Sequence, residues 1–272
     1  MVFAPNGLLT LTTDFGLAEP FVGIMKGRIY GCLPAARIVD LSHANPPGRA
    51  DLAGFWLGHA WREFPPGAVH LAVVDPGVGT RRGIALAECR GHVLLAPDNG
   101  LLPEALRGID GATWRRLDPA LPGRLGLGPL SRTFHGRDLF APLAALLAAG
   151  ELEPDGFGPA CEPADPRPLP RAVAKGDTVR GQVLLADGFG NLFTNIEVAL
   201  LARMSRPELH VGDLRLPLLP TYGDGVTGQP LAVVNAFGLV EIAVRDGSAL
   251  ATLGAAPGSP VVIRNCSGAT DG

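Results

Sequence analysis

The chain has 272 residues, a formal net charge of −3, a pI near 6.1, 47% hydrophobic residues and 18% charged ones. That is enough apolar material for one large or two ordinary domains with a packed core, and the lack of a broad basic field argues against nucleic acid or an anionic membrane as partner, leaving a small molecule. The four cysteines, Cys32, Cys89, Cys161 and Cys266, contain no Cys-x-x-Cys pair, which argues against a disulfide framework and against a zinc knuckle.

In chain order, Leu8 to Thr13 predicts a buried strand ending at Asp14-Phe15-Gly16, and Phe21, Met25, Ile29 and Leu33 then recur every four residues as a helix face does. Arg37 to Leu41 predicts a second strand, Asp51 to Phe64 a second helix and Val69 to Val74 a third strand. Ile84 to Cys89 and His92 to Ala96 predict a pair turned around Arg90-Gly91. Strands alternating with helices predict an α/β domain with a largely parallel sheet over residues 1–161. It closes on a helix with Phe140, Leu143, Leu146 and Leu147 on one face, Pro142 in its first turn and Gly150 as its cap.

Residues 162–175 carry Pro163, Pro166, Pro168 and Pro170 and predict an extended linker. Beyond it, Gly181–Ala186, Glu208–Val211, Leu214–Leu219, Leu231–Asn235, Leu239–Val244 and Pro260–Arg264 are short β-type runs between glycine- and proline-marked turns, which predicts a smaller all-β domain over 176–265. Residues 266–272 predict a frayed tail. No basic and apolar leader opens the chain, and no apolar run reaches the roughly 18 residues a membrane span needs, so a cytoplasmic location without a membrane partner is expected.

Ligands in α/β domains gather at the carboxyl ends of strands, and here those ends hold Asp14, Asp40 with Ser42 and His43, Asp75, and Asp98-Asn99. The loop Val73-Val74-Asp75-Pro76-Gly77-Val78-Gly79-Thr80, followed by Arg82, sets a carboxylate and a guanidinium on a glycine-rich turn; it reads either as structural turn chemistry or as a reactive loop. Asp14 reads either as a turn residue before the first helix or as an acceptor for ligand hydroxyls. Asp40, Ser42 and His43 read as structural, and Arg137-Asp138 as a local ion pair at a helix start. His135, in Thr133-Phe134-His135-Gly136, is the candidate for proton traffic near neutral pH. In the second domain, Asp187-Gly188-Phe189-Gly190-Asn191 with Thr194-Asn195 gathers polar groups and an aromatic ring in a loop. Tyr222 offers a flat ring there, and Asn235 stands at another strand end.

Taken together, TTDFG at Thr12–Gly16, DLSH at Asp40–His43, VVDPGVGT with Arg82, APDNG, TFHGRD, DGFGN with TNI, and the Asn235–Val244 segment resemble the S-adenosyl-L-methionine hydroxide adenosyltransferase family, over about Leu8 to Arg264. The same superfamily includes fluorinases and chlorinases. The resemblance implies an N-terminal α/β domain and a C-terminal barrel-like domain in a homotrimer, with each active site between one subunit's N-terminal domain and a neighbour's C-terminal domain. It maps a catalytic triad onto Asp75, Arg82 and His135 and a ribose-binding carboxylate onto Asp14. Substrate would further meet Phe134 and Phe189, Asp187 and Asn191 would face the methionine end, Tyr222 would lie on adenine, and main chain near Val244 would read the adenine edge.

The implied reaction converts S-adenosyl-L-methionine to adenosine and L-methionine by in-line attack of a water-derived oxygen at ribose C5′. Because a sulfonium releases a neutral thioether, no metal or other cofactor is expected; the difficulty lies in lowering the pKa of water, about 15.7, within the site. A halogenase shares substrate and fold, but a halide brings no proton to remove, and an ionised Asp75 beside the attack line would repel it. Two positions depart from the halogenase pattern, Ala236 where those enzymes carry serine and Gly48 where they carry tryptophan. Two further readings are a non-catalytic sensor of an adenosyl ligand and a metal-dependent hydrolase using Asp14, Asp40, His43 and His135. The second lacks a His-x-His or paired-carboxylate ligand spacing.

Overall fold

The computed structural model describes residues 2–164 and 168–266; residues 165–167 of the stretch read as a linker and 267–272 of the tail read as frayed lie outside the described residues. Contacts divide the chain into two units, Met1–Pro168 and Leu169–Gly272.

In the first unit β1 (Leu8–Thr13), β2 (Arg37–Ser42), β3 (Val69–Val73), β4 (Ile84–Cys89), β5 (His92–Pro97) and β6 (Thr113–Arg116) form one sheet in the order β2-β1-β3-β5-β4-β6. Strands β2, β1, β3 and β5 are parallel and β4 alone runs against the rest, so the largely parallel sheet expected from the alternation is present. The helices are α1 (Phe21–Cys32), α2 (Ala50–Ala60), α3 (Leu101–Ala105), α4 (Leu121–Arg124) and α5 (Ala141–Ala149).

Strand alternation divides the core into two layers. Leu71 and Val73 of β3 pack with Met25 and Ile29 of α1 and with Leu143 and Leu147 of α5, whereas Ala72 and Val74 pack with Leu57 of α2 and Leu101 of α3. Gly54 brings α2 close against α3, since a Cβ there would stand 2.5 Å from the Leu101 carbonyl oxygen. Because α1 covers one face and α2 the other, the chain reverses its winding between β1 and β3, and the crevice at their carboxyl ends is the favoured ligand position in open α/β sheets.

The buried stripe of α1 is Val22, Met25 and Ile29; Met25 and Ile29 are as predicted, whereas Phe21 is exposed and Leu33 caps the helix. The second helix stops at Ala60 and tightens into a single 3-10 turn, Trp61–Glu63. Strand β6 and helices α3 and α4 were not anticipated, each being too short to establish a period.

In the second unit β8 (Thr178–Ala186), β9 (Leu192–Glu197), β10 (Pro207–Val211), β11 (Leu214–Leu219), β12 (Pro230–Val234), β13 (Leu239–Val244) and β14 (Pro260–Asn265) close into a barrel in the order β14-β10-β11-β12-β13-β9-β8, completed by pairing of β8 with β14. A short edge strand, β7 (Val173–Lys175), attaches to β8 inside the stretch read as linker, and one helix, α6 (Ala249–Leu253), follows β13. Val179, Val183, Ile196, Leu209, Val240, Ile242, Val261 and Ile263 fill the barrel, which is the all-β, barrel-like unit expected. Residues Thr194 and Asn195, read as loop groups, lie instead on β9. The Thr194 hydroxyl donates to the Val240 carbonyl at 2.7 Å, and Asn195 Oδ1 accepts from Gln182 N–H at 2.8 Å. Polar side chains that stitch neighbouring strands look like turn chemistry in the sequence. No helix among the described residues is long and apolar enough to cross a membrane.

Candidate functional site

The carboxyl ends of β1 and β3 carry Asp14 and Asp75 to the crevice between those strands. After β3 the chain turns through Asp75-Pro76-Gly77-Val78-Gly79, with Val78 N–H donating to the Asp75 carbonyl at 3.2 Å and Thr80 N–H to the Gly77 carbonyl at 3.1 Å. Gly79 has φ 77°, and a Cβ there would stand 2.2 Å from the Arg132 carbonyl oxygen, so only glycine lets this turn approach the segment leading to His135. The turn returns Arg82 onto Asp75: Arg82 Nε donates to Asp75 Oδ1 at 2.9 Å and to Oδ2 at 3.0 Å, and Nη2 donates to Oδ2. The guanidinium also lies 5.4 Å from the centre of the Phe140 ring. The Arg82 and Asp75 side chains are only 11% and 5% exposed, which makes this a shielded ion pair.

His135 enters from the other side, just before a π-helical turn, Gly136–Phe140, that leads into α5. Its Nδ1 is 2.9 Å from Arg82 Nη2. A guanidinium only donates, so Nδ1 accepts and the ring proton resides on Nε2. Burial pushes the imidazole below its ordinary pKa and the Arg82 charge adds to that, with Asp75 and Asp138 partly opposing both. Sequence reading singled out Asp75, Arg82 and His135 across 61 positions, and the structure brings the three side chains into one hydrogen-bonded cluster.

Asp14 lies beside that loop: its Oδ2 accepts from Gly48 N–H at 2.8 Å, and a Cβ on Gly48 would stand 3.7 Å from Pro76. Its own loop is braced from below. Thr13 Oγ1 meets His43 Nδ1 at 2.8 Å, His43 Nε2 lies 3.0 Å from Asp40, and Asn45 Nδ2 donates to the Thr13 carbonyl at 2.8 Å. The structural reading of Asp40 and His43 therefore holds, whereas Ser42 only accepts from Ala44 N–H at 3.3 Å. Phe134 packs edge-on with Phe15 and Phe21, forming an aromatic wall beside His135. Arg137 and Asp138 form the expected local pair, and Asp138 also accepts from Ser131 N–H at 2.8 Å. Asp98 is held by Arg116 and by Ala164 N–H, away from the loop, whereas Asn99 Nδ2 donates to the Val74 carbonyl and supports its base. No group of three or more His, Cys, Asp or Glu side chains suited to a metal ion occurs among the described residues.

The second unit holds its own pocket of about 710 Å³, whose lining includes Asp187, Phe189, Asn191, Tyr222 and Val244, the five positions in this unit to which the resemblance gave a substrate-binding role. Asp187 Oδ1 accepts from Phe189 N–H and Asn191 N–H, both at 2.9 Å, which folds the turn and leaves Phe189 81% exposed. Tyr222 is half exposed on a single 3-10 turn closed at Thr221 by a capping box with Asp224. The Val244 side chain belongs to the barrel core and its carbonyl accepts from Gly247 N–H at 3.0 Å. Asn235 and Ala236 also line the pocket. Sequence reading missed Glu241, which lines it too; the available signal was a single acid inside the apolar run Leu239-Val240-Glu241-Ile242-Ala243-Val244.

A family model described as the SAM hydroxide adenosyltransferase N-terminal domain matches residues 9–158, and one described as the C-terminal domain of the same family matches 181–262. A protein of Salinispora tropica named (R)-S-adenosyl-L-methionine hydrolase is 42% identical over 94% of this chain and 97% of its own. One of the same name from Thermus thermophilus is 40% identical over 92% of this chain and 96% of its own. The crystal structure of an uncharacterized conserved protein from Thermotoga maritima superposes with a TM-score of 0.84 at 31% identity, over 94% of this chain and 99% of that one. The chain belongs to the SAM hydroxide adenosyltransferase family.

Proposed function

We propose that the protein hydrolyses S-adenosyl-L-methionine to adenosine and L-methionine. The observation that carries this reading is the Asp75–Arg82–His135 cluster, in which one guanidinium binds both a shielded carboxylate and the Nδ1 of a neutral imidazole. That arrangement leaves Arg82 Nη1 as a donor for a water molecule losing its proton, with the His135 ring N–H, which also bonds the Ser131 main chain, beside it, and donors aimed at developing negative charge are the main device for stabilising it. Asp75 Oδ1 accepts only once from Arg82 and keeps acceptor capacity, so Asp75 takes the proton there and passes it to solvent. The hydroxide attacks ribose C5′ opposite the sulfonium; the C–O bond forms as the C–S bond breaks, and methionine leaves as a neutral thioether. Alignment of nucleophile, carbon and sulfur supplies further rate.

In the same reading, Asp14 accepts from the ribose hydroxyls, Phe134 walls the sugar, Asp187, Phe189 and Asn191 face the methionine end, and Tyr222 with main chain near Val244 holds adenine. No metal or other cofactor takes part. The protein acts in the cytoplasm as a homotrimer whose sites each combine one copy's cluster with a neighbour's pocket. Support for the assembly comes from the exposure of Phe21, Ile24 and Tyr30 along α1.

The test is incubation with S-adenosyl-L-methionine, with and without chloride and with excess chelator, followed by chromatography. Equal release of adenosine and methionine that is indifferent to chloride and chelator is expected. A 5′-chlorinated nucleoside would make the protein a halogenase, tight binding without products would make it a sensor, and loss of activity in chelator would point to a metal.

A further inference from the structure

Glu241 is 1% exposed and sits in the middle of β13. Strand alternation places Val240, Ile242 and Val244 in the barrel core and turns Glu241 and Ala243 to the opposite face, where both line the pocket. Both carboxylate oxygens are engaged: Oε1 accepts from the Tyr222 hydroxyl at 2.7 Å and Oε2 from Asn235 Nδ2 at 3.0 Å. Asn235 cannot exchange its amide ends, because its Oδ1 already accepts from Phe237 N–H at 3.0 Å and Leu239 N–H at 3.1 Å.

Both partners are neutral. Among the described residues no Lys, Arg or His forms an ion pair with Glu241. Arg245, the cation in the pocket lining, donates to the carbonyls of Gly223 at 2.8 Å and Gly225 at 2.7 Å and lies 3.8 Å from Asp246, not on Glu241. The same lining carries three carboxylates, Asp187, Glu241 and Asp246. Burial, and then the bond to Glu241, raise the Tyr222 pKa well above its ordinary value, so the phenol stays protonated, gives its hydrogen to Glu241 and turns only lone pairs toward the pocket. The wall at Glu241 is thus a carboxylate without an ion-pair partner beside a phenol that turns its lone pairs to the pocket. A buried carboxylate met only by neutral donors is costly in the empty pocket, and an entering cation relieves that cost.

We propose that Glu241 is a specificity-determining residue: it supplies the counter-charge by which this pocket selects a cationic adenosyl ligand, a sulfonium, over the neutral thioether of nearly the same shape. The inference rests on the reading that S-adenosyl-L-methionine occupies this pocket and adds what discriminates it from its demethylated relative.

Calorimetric affinities of the full-length protein for S-adenosyl-L-methionine and S-adenosyl-L-homocysteine test it. Wild type is expected to prefer the sulfonium, and Glu241→Gln to reduce that preference about tenfold, chiefly by weakening the sulfonium. Tyr222→Phe keeps the charge and is expected to weaken both ligands alike. Should Glu241→Gln not fold, Phe237→Lys sets a cation at an exposed lining position, outside the barrel core, and is expected to lower the preference in the same direction. A residue that merely held the pocket together would lower both affinities equally, so an unchanged ratio in the variants, or no sulfonium preference in wild type, overturns the proposal. Turnover is followed in parallel. A Glu241-dependent preference without products leaves the inference standing and defeats the hydrolase reading, whereas turnover with an unchanged ratio does the reverse.

Discussion

Replacing Arg82 with methionine tests the cluster at its shared member. Methionine keeps an apolar stem beside Phe140 and removes every donor. Asp75, whose side chain is 5% exposed, then loses its cation, and stranding a buried charge in this way costs about 3 to 5 kcal/mol of stability. Loss of a preorganised donor at the nucleophile is expected to slow turnover by about 10² to 10³. The imidazole responds in a definite direction. In wild type, burial and then the guanidinium hold His135 below its ordinary value of 6.5. A group whose folded pKa is depressed binds fewer protons in the folded state, so its contribution is complete above about 6.5 and is lost as pH falls toward the folded value. In Arg82→Met the depression by the guanidinium disappears and the opposing pull of Asp75 is no longer countered, so His135 must titrate at higher pH. Long-range proton–nitrogen-15 NMR, assigned with His135→Gln, reads both titration and tautomer. An unprotonated Nδ1 at neutral pH in wild type and an upward shift in the variant are expected; a wild-type proton on Nδ1, or an unmoved titration, refutes the reasoning.

Asp75→Ala and His135→Ala are expected to keep ligand affinity within a few-fold and to lower the rate about a hundredfold or more, and wild-type rates in both would end the mechanism. Gly79→Ala, which forces a Cβ to 2.2 Å from the Arg132 carbonyl at φ 77°, is expected to cost about 1 to 3 kcal/mol in urea denaturation and to loosen the Asp75 loop in hydrogen exchange; an unchanged midpoint contradicts the strain argument. Asp187→Ala unties the turn carrying Phe189 and Asn191 and is expected to raise KM at least about tenfold with kcat held within a few-fold, so a kcat effect alone would remove Asp187 from binding. His70, buried with Nδ1 on Thr10 and Nε2 3.1 Å from His92, is pushed by burial from 6.5 to about 3, with His92 adding to the shift. Stability should therefore fall as pH drops from about 6.5 toward 3, by on the order of 4 kcal/mol, and a flat urea midpoint between pH 7 and 4 would contradict this.

Much of this was legible in the sequence because apolar period and turn chemistry act locally. The runs at Leu8, Val69, Ile84 and His92 gave strands within a residue or two of those observed, and Arg90-Gly91 marked the turn between β4 and β5. The polar strand ends located Asp14 and Asp75 because a parallel sheet delivers its strand termini to one edge. What the sequence withheld was set by distant partners. Strand β9 was hidden because Thr194 and Asn195 meet needs on Val240 and Gln182 far along the chain. The tautomer of His135 depends on a guanidinium 53 residues away, and the significance of Glu241 on Tyr222 and Asn235. The start of α1 at Phe21 was read correctly, but Phe21 was wrongly placed on its buried face, because it satisfies the period yet packs on Phe15 and Phe134 at the site instead of joining the core.

The central claim, that a water-derived oxygen held by Asp75, Arg82 and His135 displaces methionine at C5′, is tested most directly by turnover of S-adenosyl-L-methionine in oxygen-18 water with mass analysis of both products. One heavy oxygen is expected at the 5′ position of adenosine and none in methionine. Label in methionine, adenosine released without label, or label retained after Asp75→Ala at an unchanged rate would contradict it.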